Sequence, residues 1–168
     1  MLFDISELTK NNQERISINS EFPGESFYYN GDFIEFSKPI ILVGAISLTK
    51  NVMELTANLK TEVILSCSRC LERYKYPLDL EVIENFTQDE IDDDEIIRIN
   101  GSTIDLKKVC QDNILLAIPY KGLCKEDCKG LCQRCGTNLN YASCRCEKDN
   151  IDPRLEKLKK FFSDNKEV

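Results

Sequence analysis

Residues 53–66 alternate between apolar and polar positions. Met53, Leu55, Ala57, Leu59, Val63 and Leu65 share one parity, and Glu54, Thr56, Asn58, Lys60, Glu62 and Ser66 share the other. Only Thr61 and Ile64 break the pattern. A period of two marks a strand with one face buried. After the interruption at 67–73, Tyr74, Tyr76, Leu78, Leu80, Val82 and Phe86 form a second row, opposed by Lys75, Asp79, Glu81 and Asn85. The two runs predict a long hairpin. Upstream, residues 39–48 are apolar on both faces and end at Thr49-Lys50-Asn51, which predicts an interior strand. Shorter strands are expected at 15–19 and 96–100, in a mainly antiparallel sheet.

The pattern changes period after residue 105. Leu106, Val109, Cys110, Ile114 and Ala117 recur at helical spacing behind Asp105, a capping residue, and Pro119 ends the run. A last helix is predicted from Asp152 and Pro153, with Leu155, Leu158, Phe161 and Phe162 as its stripe. Between hairpin and first helix, residues 84–95 carry Glu84, Asp89, Glu90, Asp92, Asp93, Asp94 and Glu95. Self-repulsion should keep this stretch solvated as a loop. It lacks the ligand spacing and turn glycine of an EF-hand loop. The expected fold is α+β. Residues 1–120 would form a β-rich body with the acidic loop 84–95 and a helix near 105–118, followed by a Cys-rich module at 121–150 and a helix at 151–168.

The chain has 168 residues, nine cysteines and no histidine. Its N-terminus carries Asp4 and Glu7 where a signal peptide would be positive, and its longest apolar run is too short to span a bilayer. A cytoplasmic location without membrane contact is expected. In a reducing compartment, cysteines at such spacing are read as metal ligands before disulfides.

Eight of the nine fall into pairs: Cys67-x2-Cys70, Cys124-x3-Cys128, Cys132-x2-Cys135 and Cys144-x-Cys146. Two four-thiolate zinc sites account for all eight. One partition joins Cys132, Cys135, Cys144 and Cys146, leaving Cys67 and Cys70 for Cys124 and Cys128. The other joins Cys124, Cys128, Cys132 and Cys135, and pairs Cys67 and Cys70 with Cys144 and Cys146. Gly136, just after Cys135, suits the positive φ of a zinc knuckle. Cys110 is read as a small buried hydrophobe on the inner helix face.

Charge and the donor inventory limit the function. The net charge is −7, and two zinc ions on eight thiolates would take it to −11, which argues against indiscriminate nucleic-acid binding. Within 121–148, however, Lys121, Lys125, Lys129, Arg134, Arg145 and Lys148 outnumber Glu126, Asp127 and Glu147. With Arg69, Arg73, Tyr74 and Lys75 at the hairpin tip, Lys121, Lys125, Lys129, Arg134 and Arg145 are candidates for RNA contact. A radical enzyme that binds a cluster through Cys128-x3-Cys132-x2-Cys135 would need a large barrel, and only 33 residues follow Cys135. A CxxC oxidoreductase would need a βαβ setting. With no histidine and closed thiolate shells, neither an enzyme nor a small-molecule substrate is expected.

The segments SCSRCLERY, IDLKKVCQDNILLAIPYKGLC, CKGLCQRCGTNLNYASCRC and DPRLEKLKKFF, in this order, resemble the bacterial YceD family (DUF177) over residues 40–163. Cys67, Arg69 and Cys70 match its mid-chain CxRC, and the six later cysteines match its late cluster. The resemblance implies a factor in large-subunit ribosome biogenesis that supports accumulation or processing of 23S rRNA. The partners it implies are ribosomal RNA or a pre-50S particle, and a ribosomal protein. The alternatives are an adaptor that binds such a protein and a redox-responsive zinc protein.

Overall fold

The computed structural model describes residues 1–10, 14–29, 31–90 and 96–146. In chain order its elements are β1 (Leu2–Asp4), α1 (Ser6–Lys10), β2 (Arg15–Phe22), β3 (Phe27–Tyr29), β4 (Asp32–Phe36), β5 (Ile40–Thr49), β6 (Val52–Ser66), β7 (Arg73–Thr87), β8 (Ile96–Arg98), β9 (Thr103–Asp105) and α2 (Leu106–Ala117). The chain separates into two compact units, Met1–Cys128 and Lys129–Val168. The Cys-rich stretch 121–150 is thus divided between them. The helix expected at 151–168 lies outside the described residues.

The predicted hairpin is the spine of the first unit. β6 and β7 are 15 residues each and pair antiparallel from Val52↔Thr87 to Ser66↔Arg73. The other edge of β6 is covered by β5 over Val52–Lys60 and by β4 at Val63 and Ile64. β2 lies outside β5 and β3 outside β4, both antiparallel. β8 adds to β7 in parallel, and β1 and β9 form a separate two-stranded sheet. Mainly antiparallel pairing in an α+β fold follows.

Alternation along β6 and β7 decides which side is inside. Leu55, Leu59, Val63, Val82 and Phe86 are buried on one face, against Leu106, Val109, Cys110 and Ile114 of α2 and Leu8 of α1. Thr61, the polar exception, is also inside. The strand opposite breaks at Ser37 to Pro39, where Ser37 and Lys38 both donate backbone N–H to Glu62 O, and the Thr61 hydroxyl donates to the carbonyl of Lys38 at 3.1 Å. A buried hydroxyl with a partner costs little. β5 is interior through lateral pairing with β2 and β6. Its second apolar row, however, stays open, since Ile41 is 39% and Val43 48% exposed. The β5–β6 turn has positive φ at both Lys50 and Asn51, as a two-residue hairpin loop of the primed type requires.

The acidic loop expected at 84–95 begins later than its charge suggested. β7 runs through Thr87 because Phe86 continues the buried parity. Glu84 on the same side accepts a hydrogen bond from Asn113 Nδ2 at 2.7 Å. Residues 91–95 lie outside the described residues.

α2 starts where its cap predicts. Asp105 Oδ1 accepts from Lys107 N–H at 3.1 Å and from the Met1 ammonium at 3.0 Å. At the far end Ile118 N–H donates to Ile114 O, and Pro119 cannot continue the ladder. The chain then turns back to the hairpin tip. Among the described residues no helix is long and apolar enough to cross a membrane.

Candidate metal centres

Cys67 and Cys70 occupy the loop that joins β6 to β7. Cys67 N–H donates to Glu72 O and Leu71 N–H donates to Cys67 O, both at 2.9 Å, closing a tight knuckle in which Leu71 takes a φ of 62°. The segment after α2 docks on this knuckle. Ser68 N–H donates to Gly122 O at 3.0 Å, and Arg69 Nη1 donates to Cys128 O at 2.9 Å. A side chain at Gly122 would collide with the Tyr74 hydroxyl, so any larger residue there would have to displace the end of that tyrosine.

This docking brings four sulfurs together. Cys67 Sγ lies 3.7 Å from Cys128 Sγ, and Cys70 Sγ 3.6 Å from Cys124 Sγ. All four sulfurs fall within 4.8 Å of one another. A disulfide would put a pair at about 2.05 Å. Four sulfurs each about 2.3 Å from one zinc would be about 3.8 Å apart along a tetrahedron's edges. The spacing therefore fits metal coordination. Cys67, Cys70 and Cys128 are buried and Cys124 is half-buried.

The second unit repeats the knuckle. Cys132 N–H donates to Thr137 O and Gly136 N–H to Cys132 O, both at 2.8 Å, with Gly136 at φ 71°. The bonds are those of the first knuckle, with glycine where the first has leucine. Leu131 then bridges to Asn138, and Leu139 N–H donates to Gly130 O. Asn138 O accepts from the N–H groups of Tyr141 and Ala142, and the turn leads back to Cys144 and Cys146. Cys132, Cys135, Cys144 and Cys146 also lie within 4.8 Å of one another. Of the two partitions left open by spacing, this is the one that the fold forms. Cys135 is exposed and the other three half-buried.

The first cluster holds one thiol that ionises readily, and the second holds two, Cys132 and Cys135, the latter lowered first by its hydrogen bond with the Thr137 hydroxyl. Burial pushes the Cys67 thiol up, but the backbone N–H groups of Cys124, Cys70 and Arg69 outweigh it and bring the thiol down to about 6. The N–H groups of Cys135 and Arg134 lower Cys132 to about 6. Conversely, burial and the neighbouring thiols push Cys124 up to about 12. Cys146 is also pushed up to about 12, first by its bond to Cys135. Accumulated negative charge among close sulfurs is what a bound cation relieves. Cys110 is separate from both clusters, fully buried on the inner face of α2 and raised to about 12 by that burial.

The basic candidates divide between the units. In the first, Arg73 pairs with Glu35 at 3.0 Å and Lys75 with Glu62 at 3.5 Å, while Arg69 is engaged with Cys128 O. Tyr74 is half-buried against Tyr76, Lys125 lies 3.9 Å from Asp127, and Lys121 is exposed. In the second, Lys129, Arg134 and Arg145 are exposed. No Asp or Glu occurs in 129–146. Tyr141 is 76% exposed in the same segment. Sequence reasoning missed it, although a tyrosine in a knuckle turn rich in Asn and Ser has little apolar company to bury it.

A long antiparallel hairpin with a four-cysteine cluster at its tip, followed by a second four-cysteine knuckle, defines a cysteine-cluster α+β protein. The family model described as large ribosomal RNA subunit accumulation protein YceD matches residues 55–162, and the chain belongs to that family. The chain is 29% identical over 142 residues to the uncharacterized protein YlbN of Bacillus subtilis, with 82% of each chain covered. It is 30% identical over 118 residues to an uncharacterized protein of Mycobacterium tuberculosis, covering 67% of this chain and 56% of that one. A shorter match, 43% over 60 residues, is to the chloroplastic large ribosomal RNA subunit accumulation protein YCED homolog 1 of Zea mays, covering 35% of this chain and 20% of that protein. No solved structure matches the chain.

Proposed function

We propose that this protein is a non-catalytic zinc-binding factor of the cytoplasm that supports accumulation of large-subunit ribosomal RNA by binding that RNA on a precursor particle. The observation that carries this reading is the pair of four-cysteine clusters in a family named for large ribosomal RNA accumulation. Zinc suits a set of four thiol donors, and a closed four-sulfur shell leaves no coordination position for substrate or water. The RNA contact belongs to the second unit. Lys129, Arg134, Arg145 and Tyr141 are all exposed there, in a segment that contains no Asp or Glu. Zinc knuckles use this combination, with cations for phosphates and an aromatic face for an unpaired base.

Crosslinking the protein in cells and sequencing the attached RNA tests the proposal. Large-subunit rRNA fragments and co-sedimentation with pre-50S particles are expected. In vitro, affinity for RNA should fall steeply with salt, and Tyr141→Ala should weaken it by about 1–3 kcal/mol, the usual range for a stacked base. Zinc-loaded protein that neither binds RNA nor enters those particles would end this reading.

A further inference from the structure

Beside the first cluster the first unit has a cavity of about 380 Å³ whose lining includes Tyr29, Asp32, Cys67, Leu71, Ile118 and Tyr120. Its size is at the small end of ligand pockets, room for one long side chain and the backbone that carries it. Two features mark it as more than a surface fold. Tyr120 is 80% and Leu71 68% exposed, and Leu71 is held at the rim by an unfavourable positive φ. Asp32 lies at the hairpin wall, where Oδ1 accepts from Phe33 N–H at 2.9 Å and from the Ser66 hydroxyl at 2.8 Å. Among the described residues Oδ2 accepts one bond, from Ser66 N–H at 2.9 Å, of the two that it can hold. Burial raises the Asp32 carboxyl, but those donors outweigh it and keep it below its ordinary value, so it is a carboxylate at neutral pH.

The charge around this cavity selects its occupant. Residues 1–128 contain 13 Lys and Arg against 23 Asp and Glu. Of the nearby cations, Arg73 and Lys75 already face Glu35 and Glu62, and Arg69 faces Cys128 O; Lys121 alone flanks the lining without such a pairing among the described residues. A four-thiolate centre with one divalent ion would add a net charge of −2 through Cys67 at the cavity wall. A phosphate chain would enter against this field, whereas a guanidinium would gain from it. Aromatic rings beside a carboxylate also form the usual receptor for such a cation, by cation–π attraction and a charge-assisted hydrogen bond.

We infer that this cavity receives an arginine side chain from a basic protein segment, which makes the first unit a protein-docking surface in addition to the RNA contact proposed for the second. Asp32 Oδ2 accepts from the guanidinium, Tyr29 and Tyr120 supply ring surface, and Leu71 packs on the aliphatic stem. The field rests in part on the metal loading proposed above, so the test uses full-length protein whose zinc content has been measured.

The experiment is a ¹H–¹⁵N titration with three probes: a peptide of alternating Gly and Arg, its Gly–Glu counterpart and an oligouridine RNA. The Gly–Arg peptide should shift the amides of Ser66, Ser68, Leu71 and Gly122 saturably, while the Gly–Glu peptide leaves them in place. Tyr120→Ala, at an exposed position, should weaken that binding about tenfold with the melting temperature unchanged. Asp32→Asn should weaken it further, although it also touches the Ser66 contact. Cavity amides that ignore the Gly–Arg peptide, that respond equally in Tyr120→Ala, or that move only with RNA would overturn the inference. RNA shifts confined to 129–146 would leave it standing, and so would failure of the RNA contact itself.

Discussion

Leu71 sits where a glycine would be at ease. Its φ of 62° costs an L-residue about 1–2 kcal/mol, and the matching position in the second knuckle is Gly136 at φ 71°. Its side chain is mostly exposed and recovers little by burial. Leu71→Gly should therefore raise stability by about 0.5–1 kcal/mol in denaturant unfolding, after the larger entropy of glycine in the unfolded chain is set against the relief of strain. An unchanged or lowered stability would show that Leu71 makes contacts that offset its backbone. Cys110 is the opposite case, a thiol that is inert because burial keeps it protonated. Cys110→Ser should cost about 1–3 kcal/mol, more than Cys110→Ala, because a buried hydroxyl is harder to desolvate than a thiol. Both variants should keep the wild-type zinc content, measured by elemental analysis.

At the scale of elements, the strands and α2 were legible because burial on one face imposes period two and helical spacing imposes its own. Met53 to Leu65 and Leu106 to Ala117 lie where those periods placed them. The end of β7 was legible in its apolar row, which reaches Phe86, but not in its charges, since the carboxylate of Glu84 reads as loop until Asn113 of α2 is seen to bind it. Thr61 broke the alternation for a reason outside its own strand, the carbonyl of Lys38 in the break opposite. The cysteine pairs were legible from spacing, but their partition needed the docking of Gly122 on Ser68, a contact between residues 54 apart in sequence. The cavity beside Tyr120 left no periodic trace at all, because its walls come from three separate segments, 29–34, 65–71 and 118–122.

The knuckles also set a pH dependence. Cys67 and Cys132 have folded-state values near 6 against an ordinary value of 9.0, so their thiolates favour the folded state fully above pH 9. That contribution shrinks as pH falls from 9 and is lost once pH passes below about 6. Cys124 and Cys146, raised to about 12, act in reverse only above pH 9. The melting temperature of reduced, chelator-treated protein should therefore rise from pH 6 to pH 8. A flat or falling profile would contradict the hydrogen-bonding assigned to the knuckles.

For the whole molecule, two clusters of unequal burial imply an order of metal loss. The first has three buried cysteines and is tied into the end of the sheet, whereas the second has none buried and exposes Cys135. A chelator with a coloured zinc complex should remove one equivalent quickly and the second slowly. The slow phase should disappear in Cys67→Ser and the fast phase in Cys135→Ser. Because the core of β5, β6, β7 and α2 contains no ligand cysteine, strand signal in circular dichroism should largely survive both steps. The account depends above all on eight thiols gripping two ions. Native mass spectrometry of the reduced protein, paired with zinc-edge X-ray absorption, reads this directly: two zinc ions per chain, each with four sulfurs at about 2.3 Å, are predicted. One ion or none, or nitrogen and oxygen in the coordination shell, would contradict it.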